Sequence, residues 1–229
     1  MDKNQIMEIK LVHILTEIDT GREINSIASL SPMSNYGINY IQQINQRYTG
    51  NAWIDPPAIS KTPYTNHGSG HYGAFQSFKK AILDNFTEET EALVICECDC
   101  ILETDIDNFS KIIREAVDLC NRESVDFVSF GSRYINGFLQ SPIIEEDKER
   151  FGNFYITNKT ILAHCIMIPK RSREFILGQF NSISWDSPDI WFNEAFWMGN
   201  RNRFAILWER AARQHEGVSL IDNIWKESQ

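Results

Sequence analysis

The chain has 229 residues, 42% of them hydrophobic and 12% aromatic, which allows a sizeable buried core and excludes a disordered sequence. A net charge of −9 argues against generic nucleic-acid binding. No apolar run reaches the length of a membrane span, and Met1–Lys10 lacks the apolar core of a signal peptide, so the expected location is the cytosol.

Glu8–Thr16 (E-I-K-L-V-H-I-L-T) reads as a first strand, nearly continuous in apolar residues as a buried parallel strand should be. His13 within it reads as a packed core residue. After Asp19-Thr20-Gly21 and Arg22-Glu23, a helical pattern runs through Ile24, Ile27, Ala28 and Leu30 and ends near Pro32. A second strand, Ile38–Ile44, completes a βαβ opening.

Arg47–Gly70 is irregular and polar, a length of loop that is usually functional or mobile inside a compact domain. Its end, Gly68-Ser69-Gly70, stands just before a helix starting around His71. Backbone N–H groups there would suit an anion, and a flexible linker is the equal alternative. Tyr72, Phe75, Phe78, Ala81, Ile82 and Phe86 then recur at helical spacing.

Ala92–Cys96 is a short apolar run that reads as a buried strand, and it turns acidic at Glu97 and Asp99. If the strand continues, Glu97 and Asp99 share one face and Cys96, Cys98 and Cys100 the other. Two carboxylates at the carboxyl end of a core strand are costly to bury unpaired, so they should face a cleft and a cation. The bland reading is a strand that has reached solvent. The three cysteines read as reduced, buried thiols, because neighbours on one strand face cannot readily meet disulfide geometry. A thiolate zinc site is the sharper alternative, but C-x-C-x-C lacks the usual C-x-x-C spacing and a second pair.

Asp105–Cys120 reads as an amphipathic helix with Thr104 as N-cap and Asp105 and Asp107 in its first turn. Val125–Phe130 is a short buried strand, and Tyr134–Ile156 reads as hairpins or a loop over the cleft. Thr160–Ile168 is a further core strand with His164 embedded in it, ended by Pro169 and a basic helix, Arg171–Phe180. Ser184-Trp185-Asp186-Ser187-Pro188-Asp189 opens another helix with Pro188 in its first turn, and Phe204–Trp208 is a last strand. No repeat or linker divides the chain, so a single domain is expected.

The charge is uneven. From Phe151 onward nine Lys/Arg stand against eight Asp/Glu, leaving residues 1–150 with thirteen against twenty-three, a net of −10. Lys170, Arg171, Arg173, Arg201, Arg203, Arg210 and Arg213 would make either a solvated surface or, gathered on one face, a contact area for phosphates.

This order of elements resembles a glycosyltransferase of the GT-A fold: a βαβ half, a central strand ending in an acidic pair, an acceptor-side half and a late histidine. His71–Glu103 also looks like the lipooligosaccharide-type transferases, with E-C-D here in place of the commoner D-x-D. The resemblance implies a Rossmann-like α/β domain with a mostly parallel central sheet flanked by helices. Residues 1–104 would bind the nucleotide sugar and residues 105–229 the acceptor.

By the same resemblance, Asp99 would be the main ligand of a Mn²⁺ or Mg²⁺ ion bridging the donor diphosphate, with Glu97 beside it as ligand or support. His215, in Q-H-E-G-V-S, would reach the metal or the diphosphate, the alternative being a surface histidine of the tail. Thr16, Glu17, Arg22, His71 and Ser219 would join Glu97 and Asp99 around the donor, which the resemblance favours as a UDP-sugar. Asp186 or Asp189 would serve an inverting enzyme as base, against the alternatives of an N-cap and a first-turn residue that complements the helix dipole. A retaining enzyme would need neither. Trp185 and Trp191 would stack on a sugar or base, or belong to the core, and His164 could reach the site from its strand.

The acceptor would be a glycan or a hydroxylated nucleobase in phage DNA. The competing classes are nucleotidyl transfer, against which the single glycine in Thr16–Arg22 counts, and a non-catalytic binding module.

Overall fold

The computed structural model describes residues 8–16, 21–45, 69–133, 150–157, 164–183, 185–201, 203–207 and 210–214. Strand β1 (Glu8–Thr16) occupies the span its apolar run predicts, with Leu11 to Leu15 all buried. Helix α1 (Gly21–Leu30) gives way to a 3₁₀ turn over Ser31–Tyr36, where Pro32 cannot continue an α-helix. Gly37 closes that turn at a φ of 69°, in the left-handed region that glycine adopts at least cost. Strand β2 (Asn39–Asn45) and helix α2 (Ser69–Asn85) follow, and Ser69 and Gly70 form the first turn of α2.

Strands β3 (Thr90–Cys96) and β4 (Cys100–Leu102) flank the acidic pair, and helix α3 (Ile106–Glu123) comes next. The N-cap of α3 is Asp105, not Thr104: its carboxylate accepts the Asn108 N–H at 2.8 Å, while Thr104 Oγ1 accepts from the Asn108 side chain. Strand β5 (Phe127–Arg133), a hairpin of β6 (Arg150–Phe151) and β7 (Phe154–Thr157), and strand β8 (Cys165–Pro169) follow. A 3₁₀ turn over Lys170–Ser172 leads into α4 (Arg173–Gln179), and then come α5 (Pro188–Met198), β9 (Phe204–Leu207) and β10 (Ala212–Gln214).

The strands form one sheet in the order β2-β1-β3-β8-β5-β9-β7-β6, and β4 and β10 form a separate antiparallel pair. In the large sheet β2, β1, β3, β5, β9 and β6 point one way and β8 and β7 the other. The sheet is thus mostly parallel in direction, with the antiparallel β8 inserted between β3 and β5. All five residues of β8 are buried, as expected for a strand covered on both faces.

Two cores form on the two faces. One joins Leu11, Val94, Cys96, Val128 and Met167 of the sheet to Leu30, Phe109, Ile113 and Val117 of α1 and α3. The other joins Val12, Ile95, Phe127 and Ile166 to Phe75 and Phe78 of α2, Ile176 of α4 and Trp191, Phe192 and Phe196 of α5. Trp191 is core, its ring stacked on Phe180 at 4.7 Å and 7°. Among the described residues, no helix is long and apolar enough to cross a membrane.

The helices alternate direction with the strands. Lys10 Nζ donates to Asn85 O, placing the end of α2 at the amino edge of β1 and β3 and its start, with His71, at their carboxyl edge. The carboxyl edge is where Thr16 and the acidic pair also lie.

Candidate active site

Strand β3 stops at Cys96, and the E-C-D residues form a turn instead of continuing the strand. The Cys100 N–H donates to Glu97 O at 3.0 Å, and the Glu97 N–H donates to His164 O at 2.9 Å. The expected alternation, with both carboxylates on one face and Cys96, Cys98 and Cys100 on the other, therefore does not hold. The reason is long-range: the chain must turn for β4 to pair with β10. Asp99 is buried and Glu97 half-buried in this turn.

The turn is held from beneath by polar groups of the core. Ser26 Oγ, in α1, donates to Cys100 O at 2.6 Å and lies 2.9 Å from His13 Nε2. The single Ser26 proton is committed to that carbonyl, so His13 Nε2–H donates to Ser26 and His13 Nδ1 accepts from the Tyr40 hydroxyl at 2.9 Å. His13 is thus a core residue, as its place in β1 suggests, and it also ties β1, β2 and α1 to the turn. Burial pushes its pKa down to about 4, against the pull of the Glu97 carbonyl. His164 behaves alike: burial pushes it to about 4, its Nε2 faces Ala212 O at 3.5 Å, and it supports the turn through its backbone carbonyl.

Asp189, in the first turn of α5, comes to the same place. Burial first, then the charges of Asp99 and Asp189, push the pKa of Glu97 up to about 8. Carboxylates from two distant segments therefore act on one charge balance near the carboxyl edge of the sheet. Asp186 differs: it is fully buried, and its Oδ1 accepts the Ser187 N–H at 2.6 Å. Ser187, not Asp186, is the N-cap residue of α5.

Thr16 ends β1 at this edge, its N–H and hydroxyl both donating to the buried Glu23 Oε1. No pattern in the sequence pointed to Glu23. His71 lies in the first turns of α2, next to Tyr72, whose ring meets Trp185 edge-on at 4.9 Å. Arg22 lies in α1 with its side chain outside the described residues, and Glu17, His215 and Ser219 lie outside them altogether.

The seven basic residues do not gather on one face. Arg173 donates to Phe86 O, Arg203 to Glu123 O and Arg201 to Arg171 O, and Arg171 pairs with Asp126 at 3.5 Å. These four, with Lys170, hold the amino edge of the sheet, the end opposite the acidic turn. Arg210 and Arg213 instead meet Glu103 beside the β4–β10 pair, Arg210 Nη2 at 2.8 Å from Oε1 and Arg213 Nε at 3.4 Å.

His13, His164 and Glu97 give stability a pH dependence. Between about pH 4 and 6.5 the unfolded chain protonates His13 and His164 while the folded chain does not, so each weakens folding as pH falls, by up to about 3 kcal/mol. Glu97 acts in the opposite sense, because the folded chain keeps its proton up to about pH 8 while the unfolded chain releases it above about 4.5. In chelator the melting temperature should therefore rise from pH 4 to about 6.5 and decline towards pH 8. Calorimetry showing a steady rise through pH 8 would rule out the retained proton on Glu97.

Solved structures of similar shape include a glycosyltransferase involved in glycosylation of the major capsid of PBCV-1. It matches with a TM-score of 0.51 and 10% identity over 97% of this chain and 100% of that one. The fold is that of the GT-A glycosyltransferases. A mutant of the Drosophila β-1,4-galactosyltransferase 7, in complex with manganese, UDP-Gal and xylobiose, is a more distant likeness. Its TM-score is 0.42 at 7% identity, over 91% of this chain and 71% of that one. No protein-family model matches the chain, and no curated protein sequence does either. The acidic turn follows the carboxyl end of β3, the edge at which open α/β sheets bind ligands.

Proposed function

We propose that this protein is a glycosyltransferase that moves a sugar from a nucleotide sugar, of the UDP type, to an acceptor hydroxyl. The observation that carries this reading is the acidic turn of Glu97 and Asp99 at the carboxyl end of β3, where burial first and then the charges of Asp99 and Asp189 hold a proton on Glu97 to about pH 8. An all-oxygen, strongly anionic donor set at a strand end fits a hard divalent cation, Mn²⁺ or Mg²⁺, held by Glu97 and Asp99. Such an ion would offset the charge that develops on the departing diphosphate. In the one-domain division of labour, residues 1–104 bind the donor and residues 105–229 the acceptor.

Asp189 is the residue assigned as base. It is half-exposed at the start of α5, whereas Asp186 is enclosed and accepts its neighbour's N–H. In an inverting transfer Asp189 takes the acceptor hydroxyl proton as the acceptor oxygen bonds to the anomeric carbon and the bond to the diphosphate breaks. The acceptor is a glycan or a hydroxylated nucleobase in DNA. The likeness to a transferase of capsid glycosylation supports the glycan.

The test is a thermal-shift panel of UDP-, GDP-, CMP- and dTDP-sugars, each with Mn²⁺ and with chelator. A donor at about a hundred times its Kd stabilises by about 2.7 kcal/mol, which is roughly 5–10 °C for a domain of this size. The expected result is a metal-dependent shift with one nucleotide class, retained in Asp189→Asn while turnover falls at least about a hundredfold. No shift with any donor and none with Mn²⁺ alone would overturn the reading and leave a binding module.

A further inference from the structure

Beside the acidic turn, three cysteines meet. Cys96 closes β3, Cys165 opens β8 directly opposite it, and Cys100 opens β4 after the turn. The Glu97 N–H bond to His164 O makes residues 97 and 164 a hydrogen-bonded pair of the antiparallel ladder. Cys96 and Cys165 are therefore the adjacent non-hydrogen-bonded pair, the kind whose side chains stand closest. Their sulfurs are 3.4 Å apart, and with Cys100 all three lie within 4.8 Å of one another.

Sulfurs bound to one ion at about 2.3 Å stand about 4.0 Å apart in a planar trigonal site and about 3.8 Å apart at corners of a tetrahedron. The Cys96–Cys165 separation lies just below both values and the other two are under 4.8 Å, so small side-chain rotations suffice to close the site. The backbone that carries the donors is already fixed: Cys100 O accepts from Ser26, and Cys96 and Cys165 face each other on the adjacent inner strands β3 and β8.

We propose that Cys96, Cys100 and Cys165 form a site for one thiophilic cation, Cu(I) in three-coordinate sulfur ligation. All three donors are soft sulfurs, which select Cu(I) and zinc over the oxygen-seeking cations. No fourth histidine, cysteine or carboxylate joins the group among the described residues, and all three cysteines are fully buried, so the tetrahedral shell that zinc takes lacks its fourth ligand. Each metal–sulfur bond replaces an S–H bond, and up to three protons pass to the buffer per ion bound.

The site is chemically orthogonal to the carboxylates in front of it and does not depend on the transferase reading. It has a consequence for that face all the same, because Cys96 and Cys100 flank the E-C-D residues and an ion between them would lock the turn.

The test uses the full chain, purified under reductant and titrated with Cu(I) in competition with a chromophoric Cu(I) chelator, with Mn²⁺ as the hard-cation control. The expected result is one Cu(I) per chain, a shell of three sulfurs by X-ray absorption, and an affinity at least about a hundredfold lower in Cys165→Ser. Cys98→Ser and Cys120→Ser, whose thiols lie outside the cluster, should bind as wild type does. Binding below one ion per chain, unchanged binding in Cys165→Ser, or loss in Cys98→Ser would overturn the proposal. Should Cys165→Ser not fold, the wild-type spectrum still decides, because a shell of two sulfurs or one containing nitrogen or oxygen also overturns it.

Discussion

Replacing Asp99 with asparagine is expected to remove the manganese-dependent part of the donor-induced thermal shift. It should also slow sugar transfer by about a thousandfold, roughly 4 kcal/mol of transition-state stabilisation. The substitution keeps the shape of a buried side chain and removes only its charge, so the fold should survive. A second readout separates a lost ligand from a damaged turn. Asp99 is the leading charged group acting on Glu97, behind burial itself, so its neutralisation should lower the pKa of Glu97 from about 8. That change is measurable by NMR of the Glu97 carboxyl without substrate. An Asp99→Asn protein that still shows a full manganese-dependent shift would take Asp99 out of the cation site.

The largest expected effect on folding comes from a residue with no chemistry of its own. Gly131, in β5, lies against the ring of His164, and a Cβ there would stand 2.1 Å from Nε2 and under 3 Å from Cε1 and Cδ2. The ring is buried and faces Ala212 O, and its carbonyl anchors the Glu97 N–H, so it has nowhere to move without disturbing the turn. Gly131→Ala should therefore cost about 3 kcal/mol, the upper end of overpacking costs. That is roughly 10 °C in melting temperature for a domain of this size. Adding His164→Ala should restore part of the loss, a coupling of about 1–3 kcal/mol between residues in contact. A Gly131→Ala protein melting within about 2 °C of wild type would show that the close approach is not real.

Much of the fold was legible because its elements are set by local pattern. The apolar run of Glu8–Thr16 is long and β-branched enough that strand β1 has the predicted span, and the spacing of Tyr72, Phe75, Phe78 and Ile82 makes α2 a helix whatever it packs on. Errors of one residue occurred where neighbours share a propensity. Thr104 and Asp105 are both good N-caps, and Asp105 has the role because its carboxylate reaches the Asn108 N–H. At the start of α5 the N-cap is Ser187, whose side chain makes no capping bond, while Asp186 accepts the Ser187 N–H.

The candidate site was legible only as a set of residue types. Two carboxylates at a strand end point to a cation because carboxylates are costly to bury alone, and that argument needs nothing beyond the residues themselves. Its geometry depended on partners the local sequence does not name. The Glu97 N–H still pairs with His164 O, and the chain turns after it because Cys100 pairs with Gln214, more than a hundred residues on. Asp189 joins Glu97, while Asp186, three residues before it, is enclosed; periodicity does not distinguish two aspartates flanking one proline. The cysteine trio needed Cys165 to arrive from the antiparallel β8, so C-x-C-x-C alone grouped the wrong third thiol.

By itself, then, the sequence determined where the main strands and helices form and that acidic and thiol chemistry sits at the end of the central strand, but not the turn after Cys96 or the β4–β10 pair. These follow from side-chain volume, polarity and spacing, which act over a few residues. The tertiary structure decided which carboxylates repel one another, which histidines stay neutral and which sulfurs meet. Each of those is set by distances between segments brought together only by sheet order, and by the desolvation that their packing imposes.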